Sequence, residues 1–100
     1  LLNKETRMLK VIIERVIAEG MESTYEATIK SMLRTMLEAP GYVSGVNYKD
    51  VKNANHRVII TNWQSEEAWY QWSHSEDRKK LIDAIKPILE QEEKITLLQA

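Results

Sequence analysis

Two kinds of side chain in this sequence could do chemistry on a small molecule: a group of indoles and a pair of imidazoles. All three tryptophans lie within residues 58–72. A buried indole N–H usually finds a hydrogen-bond partner, so Trp63 either orients a phenolic or quinoid ligand or is a core aromatic at a strand end. Trp69 and Trp72, three residues apart in a helical pattern, either roof an aromatic pocket or form a hydrophobic contact between subunits.

The imidazoles are the candidate bases. His56 and His74 both lie in polar turn segments, and histidine is the natural general base near neutral pH, although a turn histidine is often just exposed. Thr61 shares a strand face with Trp63, because side chains alternate along a strand. Tyr48, at a strand end, is either a polar group of the pocket or a packing residue. The histidines lack metal-ligand spacing and the chain has no cysteine, so we expect no metal site.

The composition excludes several classes of function. The chain has 14 basic and 15 acidic residues, and no basic stripe that would mark a nucleic-acid binder. We interpret the run from Arg78 to Lys80 as a solvated helix face, offset by Glu76 and Asp77. No segment has the ~20 apolar residues that cross a bilayer, and the N-terminus lacks the apolar region of a signal peptide. We therefore expect a cytoplasmic protein without nucleic-acid or membrane partners.

Four strands and two helices must position these residues. Residues 9–18, 42–51, 57–63 and 94–98 are predicted strands, from their β-branched content and flanking turn residues. The first and third are apolar on both alternating faces, so both faces must be covered. Gly45 within the second strand predicts a bulge or a close backbone approach.

The helices are delimited by capping and breaking residues. Ser23 or Thr24 is predicted to cap the first helix, which ends before Ala39-Pro40-Gly41 because proline disfavours helical geometry in the residue before it. Ser65 is predicted to cap the second helix. That helix breaks near His74, and Ser75 caps its continuation. The order is therefore β-α-β-β-α-β.

This order predicts an α+β ferredoxin-like sandwich, with helices on one face of a four-stranded antiparallel sheet. The other face is also apolar and would leave a larger patch than soluble monomers tolerate. We therefore expect a second copy to cover it, sheet to sheet, in a homodimer. Glu14 and Arg15 are polar in an apolar strand, and buried charges must be paired. They are interpreted as an interface ion pair or as pocket groups.

Several of these motifs resemble the antibiotic biosynthesis monooxygenase family. They are a first strand ending in Glu19-Gly20, Ala39-Pro40-Gly41 before the second strand, and the run Trp63-Gln64-Ser65-Glu66-Glu67-Ala68. The resemblance covers roughly residues 9–98 of a single domain at 8–100. Residues 1–7, before Met8, are interpreted as a leader or a cloning remnant. The resemblance implies a dimeric α/β barrel that oxidises a small aromatic or quinol-type substrate with dioxygen, without a flavin or metal cofactor.

The resemblance also implies a pocket between sheet and helices that Trp63 lines. Its predicted substrate-binding residues are Trp63, Thr61, Trp69, Tyr48 and Ile13, and the predicted catalytic base is His56 or His74. Two alternatives stay open. One is a non-catalytic barrel that binds a small apolar ligand. The other is the haem-degrading branch, which is disfavoured because its strand asparagine and helix histidine correspond here to Ile13 or Glu14 and to a residue near Ile82.

Overall fold

The structure is a computed structural model that describes residues 8–100, so the predicted leader or remnant at 1–7 lies outside the described residues. Within 8–100, one antiparallel sheet is formed by β1 (Leu9–Val16), β2 (Tyr42–Lys49), β3 (His56–Trp63) and β4 (Lys94–Gln99), in the order β2-β3-β1-β4. The helices are α1 (Glu22–Leu37), α2 (Glu66–Ser73) and α3 (Glu76–Ile85), the last followed by a 3₁₀ turn at Lys86–Ile88. The ferredoxin-like prediction, including the divided second helix, is confirmed.

The strands alternate between a helix-facing side and an open side. Ile59, Thr61 and Trp63 of β3 are buried, whereas Val58, Ile60 and Asn62 between them are half-buried. In β1 the buried set is Leu9, Val11, Ile13 and Arg15. Because successive side chains of a strand point to opposite faces, the helices cover one side of the sheet only.

The core divides into two clusters on the helix-facing side. One packs Leu9, Val11, Ile13, Ile59 and the three tryptophans together. The other packs Ile17 and Tyr25 against Leu81, Ile85 and Ile88. No helix in the described part of the chain is long and apolar enough to cross a membrane.

The helix starts show which capping predictions were right. Ser65 and Ser75 cap α2 and α3: their hydroxyls accept hydrogen bonds from the amides of Ala68 and Arg78, both at 3.1 Å. The predicted cap of α1 by Ser23 or Thr24 is wrong, because both lie inside the helix. The helix begins at Glu22, whose carboxylate accepts hydrogen bonds from the amide of Gly20 at 3.2 Å and from Asn55 Nδ2 at 2.8 Å.

The first two strands each end two residues earlier than predicted, and the other two strands are each one residue longer than predicted. The first strand ends at Val16, because the amides of Ile17 and Ala18 leave the ladder and donate to Asn55 and Ile88 at 2.8 Å. The second ends at Lys49, where a turn begins. The strand irregularity predicted at Gly45 lies between Tyr42 and Ser44, just before that glycine. The close approach is at Gly45 itself, where a Cβ would come within 2.4 Å of the Tyr42 hydroxyl.

Candidate active site

A cleft opens between α1 and the sheet. We call this space of about 280 Å³ the outer cleft. Its walls come from α1, β2 and β3 and comprise Tyr25, Glu26, Ile29, Lys30, Leu33, Asn47, Tyr48, Lys49, Arg57 and Ile59. Behind it lies a space of about 40 Å³, the inner cavity, which shares four of these walls (Ile29, Leu33, Asn47 and Ile59). The two spaces therefore adjoin each other beneath α1.

The inner cavity ends at the tryptophans. Trp63 is fully buried and its ring centroid lies 5.6 Å from that of Trp69 and 6.3 Å from that of Trp72. Its indole Nε1 donates to the hydroxyl of Thr61 at 3.0 Å. Trp69 and Trp72 are buried by their own subunit and line the inner cavity. This position favours the interpretation that they roof a pocket over the interpretation that they form a contact between subunits.

Two buried guanidinium groups also line the inner cavity. Arg15 and Arg78 both contact Glu93: Arg15 Nε donates to Oε2 at 2.9 Å and Arg78 Nη2 donates to Oε1. Burial raises the pKa of Glu93, but the two guanidiniums outweigh burial and the pKa is lowered. Arg15 Nη1 also donates to the hydroxyl of Tyr25 at 3.0 Å. A buried carboxylate between two guanidiniums stays ionised.

The structure brings together most of the predicted substrate-binding residues. Ile13, Thr61, Trp63 and Trp69 line the inner cavity. Tyr48 borders the outer cleft, but its register partner is Val58, so its side chain belongs to the open sheet face, and it is 51% exposed. A shared location does not by itself show that these residues bind a substrate.

The two histidines lie elsewhere. His56 is on the open sheet face, with Nδ1 at 2.9 Å from Asp50 Oδ2 and Nε2 at 3.4 Å from Glu14 Oε1. The hydrogen bond to Asp50 raises the pKa of His56. His74 is exposed at the end of α2, where its ring lies 4.1 Å from that of Tyr70. Neither lines the outer cleft or the inner cavity. Their catalytic role stays a prediction that this placement does not support.

The pairing of Glu14 with Arg15 at an interface is wrong. Adjacent residues of a strand point to opposite faces: Arg15 faces the helices and pairs with Glu93, while Glu14 faces the open side and pairs with His56. The alternative interpretation, that these charges mark the pocket, holds for Arg15.

Sequence reasoning missed several polar residues of this region, namely Arg57, Arg78, Tyr25, Glu93 and Asn47. Arg78 was assigned to a solvated face, but it is 8% exposed and its guanidinium lies 5.5 Å from the centre of the Trp69 ring. Its position three residues before Leu81 on the apolar stripe of α3 was the available signal. For Arg57 the signal was strand parity with Ile59 and Thr61.

No group of acidic or histidine side chains that could hold a metal ion occurs among residues 8–100. The polar groups that reach the two spaces are instead guanidiniums, ammoniums, a carboxylate, phenols, a hydroxyl and an amide. Such a set can bind and orient an organic molecule. An anionic group on that molecule would find the complementary charge here.

Comparison with solved structures finds several proteins that share this fold. A conserved protein from Methanosarcina mazei Go1 superposes with a TM-score of 0.89 at 16% identity, covering 96% of this chain and 95% of that one. A structure described as an antibiotic biosynthesis monooxygenase gives 0.84 at 21%, covering 92% and 97%. A variant of SnoaB, a cofactor-independent oxygenase from Streptomyces nogalater, gives 0.83 at 14%, covering 94% and 93%. At these identities the likeness shows a shared fold.

Comparison of the sequence with families and with individual proteins gives two further results. No curated protein matches the chain. The profile of the antibiotic biosynthesis monooxygenase family matches residues 8–84, most of the chain. This protein therefore belongs to the antibiotic biosynthesis monooxygenase family.

Proposed function

We propose that this protein is a monooxygenase that oxidises a small aromatic or quinol-type molecule in the outer cleft, without a flavin or metal cofactor. One observation carries the proposal: an apolar cleft of about 280 Å³ between α1 and the sheet adjoins the tryptophan-lined inner cavity. Membership of the family supports it, as does the shared fold of SnoaB, which is described as a cofactor-independent oxygenase.

The size of each space indicates which reactant it can hold. The inner cavity of about 40 Å³ has room for a few water-sized molecules and none for an aromatic ring. The ring therefore occupies the outer cleft, between Ile29 and Leu33 of α1 and Ile59 of β3. Dioxygen, which is small and apolar, suits the inner cavity.

In this reaction the substrate supplies the electrons. For an anthrone, the ring methylene loses two hydrogens and gains one oxygen atom of dioxygen, and the other oxygen atom leaves with those hydrogens as water. The first step is the loss of a proton to give an electron-rich anion. Because neither histidine lines the cleft, the proton leaves through the open mouth to water. The protein contributes an apolar site that holds the two reactants in contact.

Oxygen uptake tests this proposal. We expect enzyme-dependent oxygen uptake with at least one member of a panel of hydroquinones and anthrones. Without dioxygen, we expect no oxidised product to form from that substrate. Leu33→Trp should abolish uptake, because Leu33 lines both spaces and an indole there would fill the cleft. Leu37→Trp, one turn further along α1 at a more exposed position, is the matched control and should keep it. Absence of uptake across the panel would count against the proposal.

We also propose that two copies pair through the open sheet face. That face carries an apolar group made of Ile12, Val16, Val46, Val58, Ile60 and Leu98, of which Val46 is 51% and Leu98 46% exposed. Ile12 and Ile60 are register partners on the two central strands. Ile60→Asp should therefore convert a dimer to a monomer. Sedimentation of the unchanged protein as a stable 11.7 kDa monomer at micromolar concentration would contradict this.

A second function has one observation in its favour. Both predicted catalytic histidines lie outside the outer cleft and the inner cavity, which suits a barrel that binds a small molecule without transforming it. Calorimetric binding of a panel member, without oxygen uptake at any substrate tested, would favour this binding function over the oxygenase.

A further inference from the structure

A row of positive charges crosses the helix-facing side of the sheet. Lys49 of β2 is the register partner of Arg57 of β3, and Arg57 is in turn the register partner of Arg15 of β1. Like charges directly opposite each other on neighbouring strands are destabilising. Such a row therefore requires negative charge nearby.

The carboxylates of the protein approach the Arg15 end of this row more closely than they approach Arg57 and Lys49. Glu93 accepts hydrogen bonds from Arg15, but it is shared with Arg78. Glu26 lies 3.6 Å from Lys49 Nζ and 3.7 Å from Arg57 Nη1, and it is itself half exposed. Both Glu26 distances exceed that of a normal hydrogen bond. Arg57 thus has one long contact with Glu26, which Lys49 also uses, and a through-space attraction to the Glu22 carboxylate.

The other contacts of Arg57 do not neutralise it. Its Nε donates to the carbonyl of Ala54 at 2.6 Å. The Tyr25 ring lies 5.8 Å from its guanidinium and 5.9 Å from that of Arg15, which stabilises cations without removing their charge. No fully buried, unpaired side-chain nitrogen is found among residues 8–100. Since Arg57 lines the outer cleft, its terminal nitrogens remain accessible from it.

The whole cleft has the same imbalance. Lys30, Lys49 and Arg57 line it against one carboxylate, that of Glu26, which leaves an excess of two positive charges. Arg57 is 8% exposed, and a charge that is largely removed from water needs a partner. An anion that enters the cleft would therefore meet an excess of positive charge close to Arg57.

We infer that the outer cleft binds a small aromatic molecule bearing a carboxylate, and that Arg57 recognises this carboxylate. The guanidinium fork matches a carboxylate through two parallel hydrogen bonds. The aromatic ring then lies against Ile29, Leu33 and Ile59. The inference names the substrate class of the proposed function and rests on that function for the location of the site.

Calorimetric titration with matched ligands tests the inference near neutral pH. The probes are gentisate and salicylate, each with its methyl ester, and hydroquinone as a neutral quinol. The ester keeps the ring and removes the charge. We expect each acid to bind about tenfold or more tightly than its ester, because charge-assisted hydrogen bonds contribute about 1.5–3 kcal/mol. Added salt should weaken the acids and leave the esters unchanged.

Variants locate the preference. Arg57→Gln should reduce the acid-to-ester affinity ratio to about one and leave hydroquinone binding unchanged. Arg34→Gln, the same substitution at a side chain 91% exposed on α1, should keep the ratio. Because Arg57 is buried, Lys49→Gln provides a second variant at a side chain 59% exposed. It should lower the ratio about two- to fivefold without affecting the fold, as circular dichroism would verify.

The outcomes separate this inference from the proposed function. Equal binding of acid and ester, binding of none of the probes, or an unchanged ratio in both Arg57→Gln and Lys49→Gln overturns the inference. Oxygen uptake with neutral quinols alongside equal binding leaves the oxygenase proposal standing. Selective binding of the acids without oxygen uptake on any substrate overturns the oxygenase proposal and leaves the carboxylate site.

Discussion

The two ends of the space beneath α1 satisfy their polar groups differently. At the tryptophan end, defined by Trp63, Trp69 and Trp72, the Trp63 indole N–H is paired with Thr61 and the rings pack on each other. At the arginine end, defined by Arg15 and Arg57, two buried guanidiniums depend on the carboxylates of Glu93 and Glu26. Arg78, whose guanidinium lies over the Trp69 ring, shares Glu93 with Arg15. Strand β3 contributes to both ends, through Trp63 and Arg57.

Residues whose type suggests a catalytic or binding role are therefore not necessarily free to perform that role. The tryptophans suggested a ligand site in the sequence, yet their rings are buried and occupied with one another. The arginines contact fewer carboxylates than their charge requires. The tryptophan end therefore closes the pocket and stabilises the fold, while the arginine end carries unsatisfied charge into it. Mutations at each end should have different consequences.

The largest effect is expected at the tryptophan end. Trp63→Ala should lower the free energy of unfolding by about 3–5 kcal/mol, the usual cost of truncating a buried tryptophan, measured by urea denaturation. Tyr70→Ala, which truncates an aromatic residue 58% exposed on α2, is the control and should change stability by less than about 0.5 kcal/mol. Similar losses in the two variants would mean that Trp63 is not the centre of this core.

Two turns contain a glycine with a positive φ, and they differ in the space around that glycine. Gly41 (φ +84°) adjoins α2, and a Cβ there would lie 2.4 Å from Ala68 Cβ, whereas Gly20 (φ +87°) has open space around it. Gly20→Ala should cost about 1 kcal/mol for the left-handed conformation alone. Gly41→Ala adds overpacking and should cost about 2–4 kcal/mol. Equal losses in thermal or urea unfolding would show that α2 can shift away from Gly41 freely.

At the arginine end, Glu93→Gln should cost about 2–3 kcal/mol, because it removes the charge that Arg15 and Arg78 share while leaving an oxygen that can still accept hydrogen bonds. Its exposed neighbour Glu92 provides the matched control in Glu92→Gln. Urea unfolding near neutral pH measures both. A loss as small as that of the control would mean that the two guanidiniums find other partners.

The same variant changes the response to acid. The pKa of Glu93 is below its ordinary value of 4.5, so its ionisation stabilises the fold above that value. This contribution is lost as the pH falls from there through the folded-state pKa. Glu93→Gln should lack this part of the acid-induced loss of stability. An identical acid limb in both proteins would assign that limb to other carboxylates.

The fold was predictable because its signals are local. Parity along β3 separated Thr61 and Trp63 from Ile60, and Ser65 and Ser75 cap helices through amides three residues away. The start of α1 was not predictable in this way. Its Glu22 is held by Asn55, a residue 33 positions away in the sequence.

The residues of the candidate site were likewise predictable only where their sequence signals are local. Trp63, which lies in a motif of contiguous residues, lines the inner cavity, and its role in binding a substrate stays a prediction. Arg15 and Glu93 are 78 positions apart, so no spacing in the sequence connects them. Arg78 was misplaced because a basic run next to acidic residues normally indicates a solvated face. The sequence alone therefore could not show which charged groups are buried against partners that lie far away in the sequence.

The smallest effect is expected on the open face, behind the arginine end, and it has the opposite pH dependence to that of Glu93. The pKa of His56 is raised above 6.5 by its hydrogen bond to Asp50. Its contribution to stability is therefore complete below 6.5 and is lost as the pH rises through the folded-state pKa. The loss should be less than about 1 kcal/mol, because the ion pair is partly exposed.

His56→Gln should remove this alkaline decline, as urea unfolding at a series of pH values on either side of neutrality would measure. His74→Gln is the matched control, because it removes an imidazole that contacts Tyr70 and Ser73 rather than a carboxylate. If His56→Gln keeps the decline, the pair with Asp50 does not stabilise the fold. If only Glu93→Gln alters the acid limb and only His56→Gln alters the alkaline limb, the buried and surface charges of this end act independently.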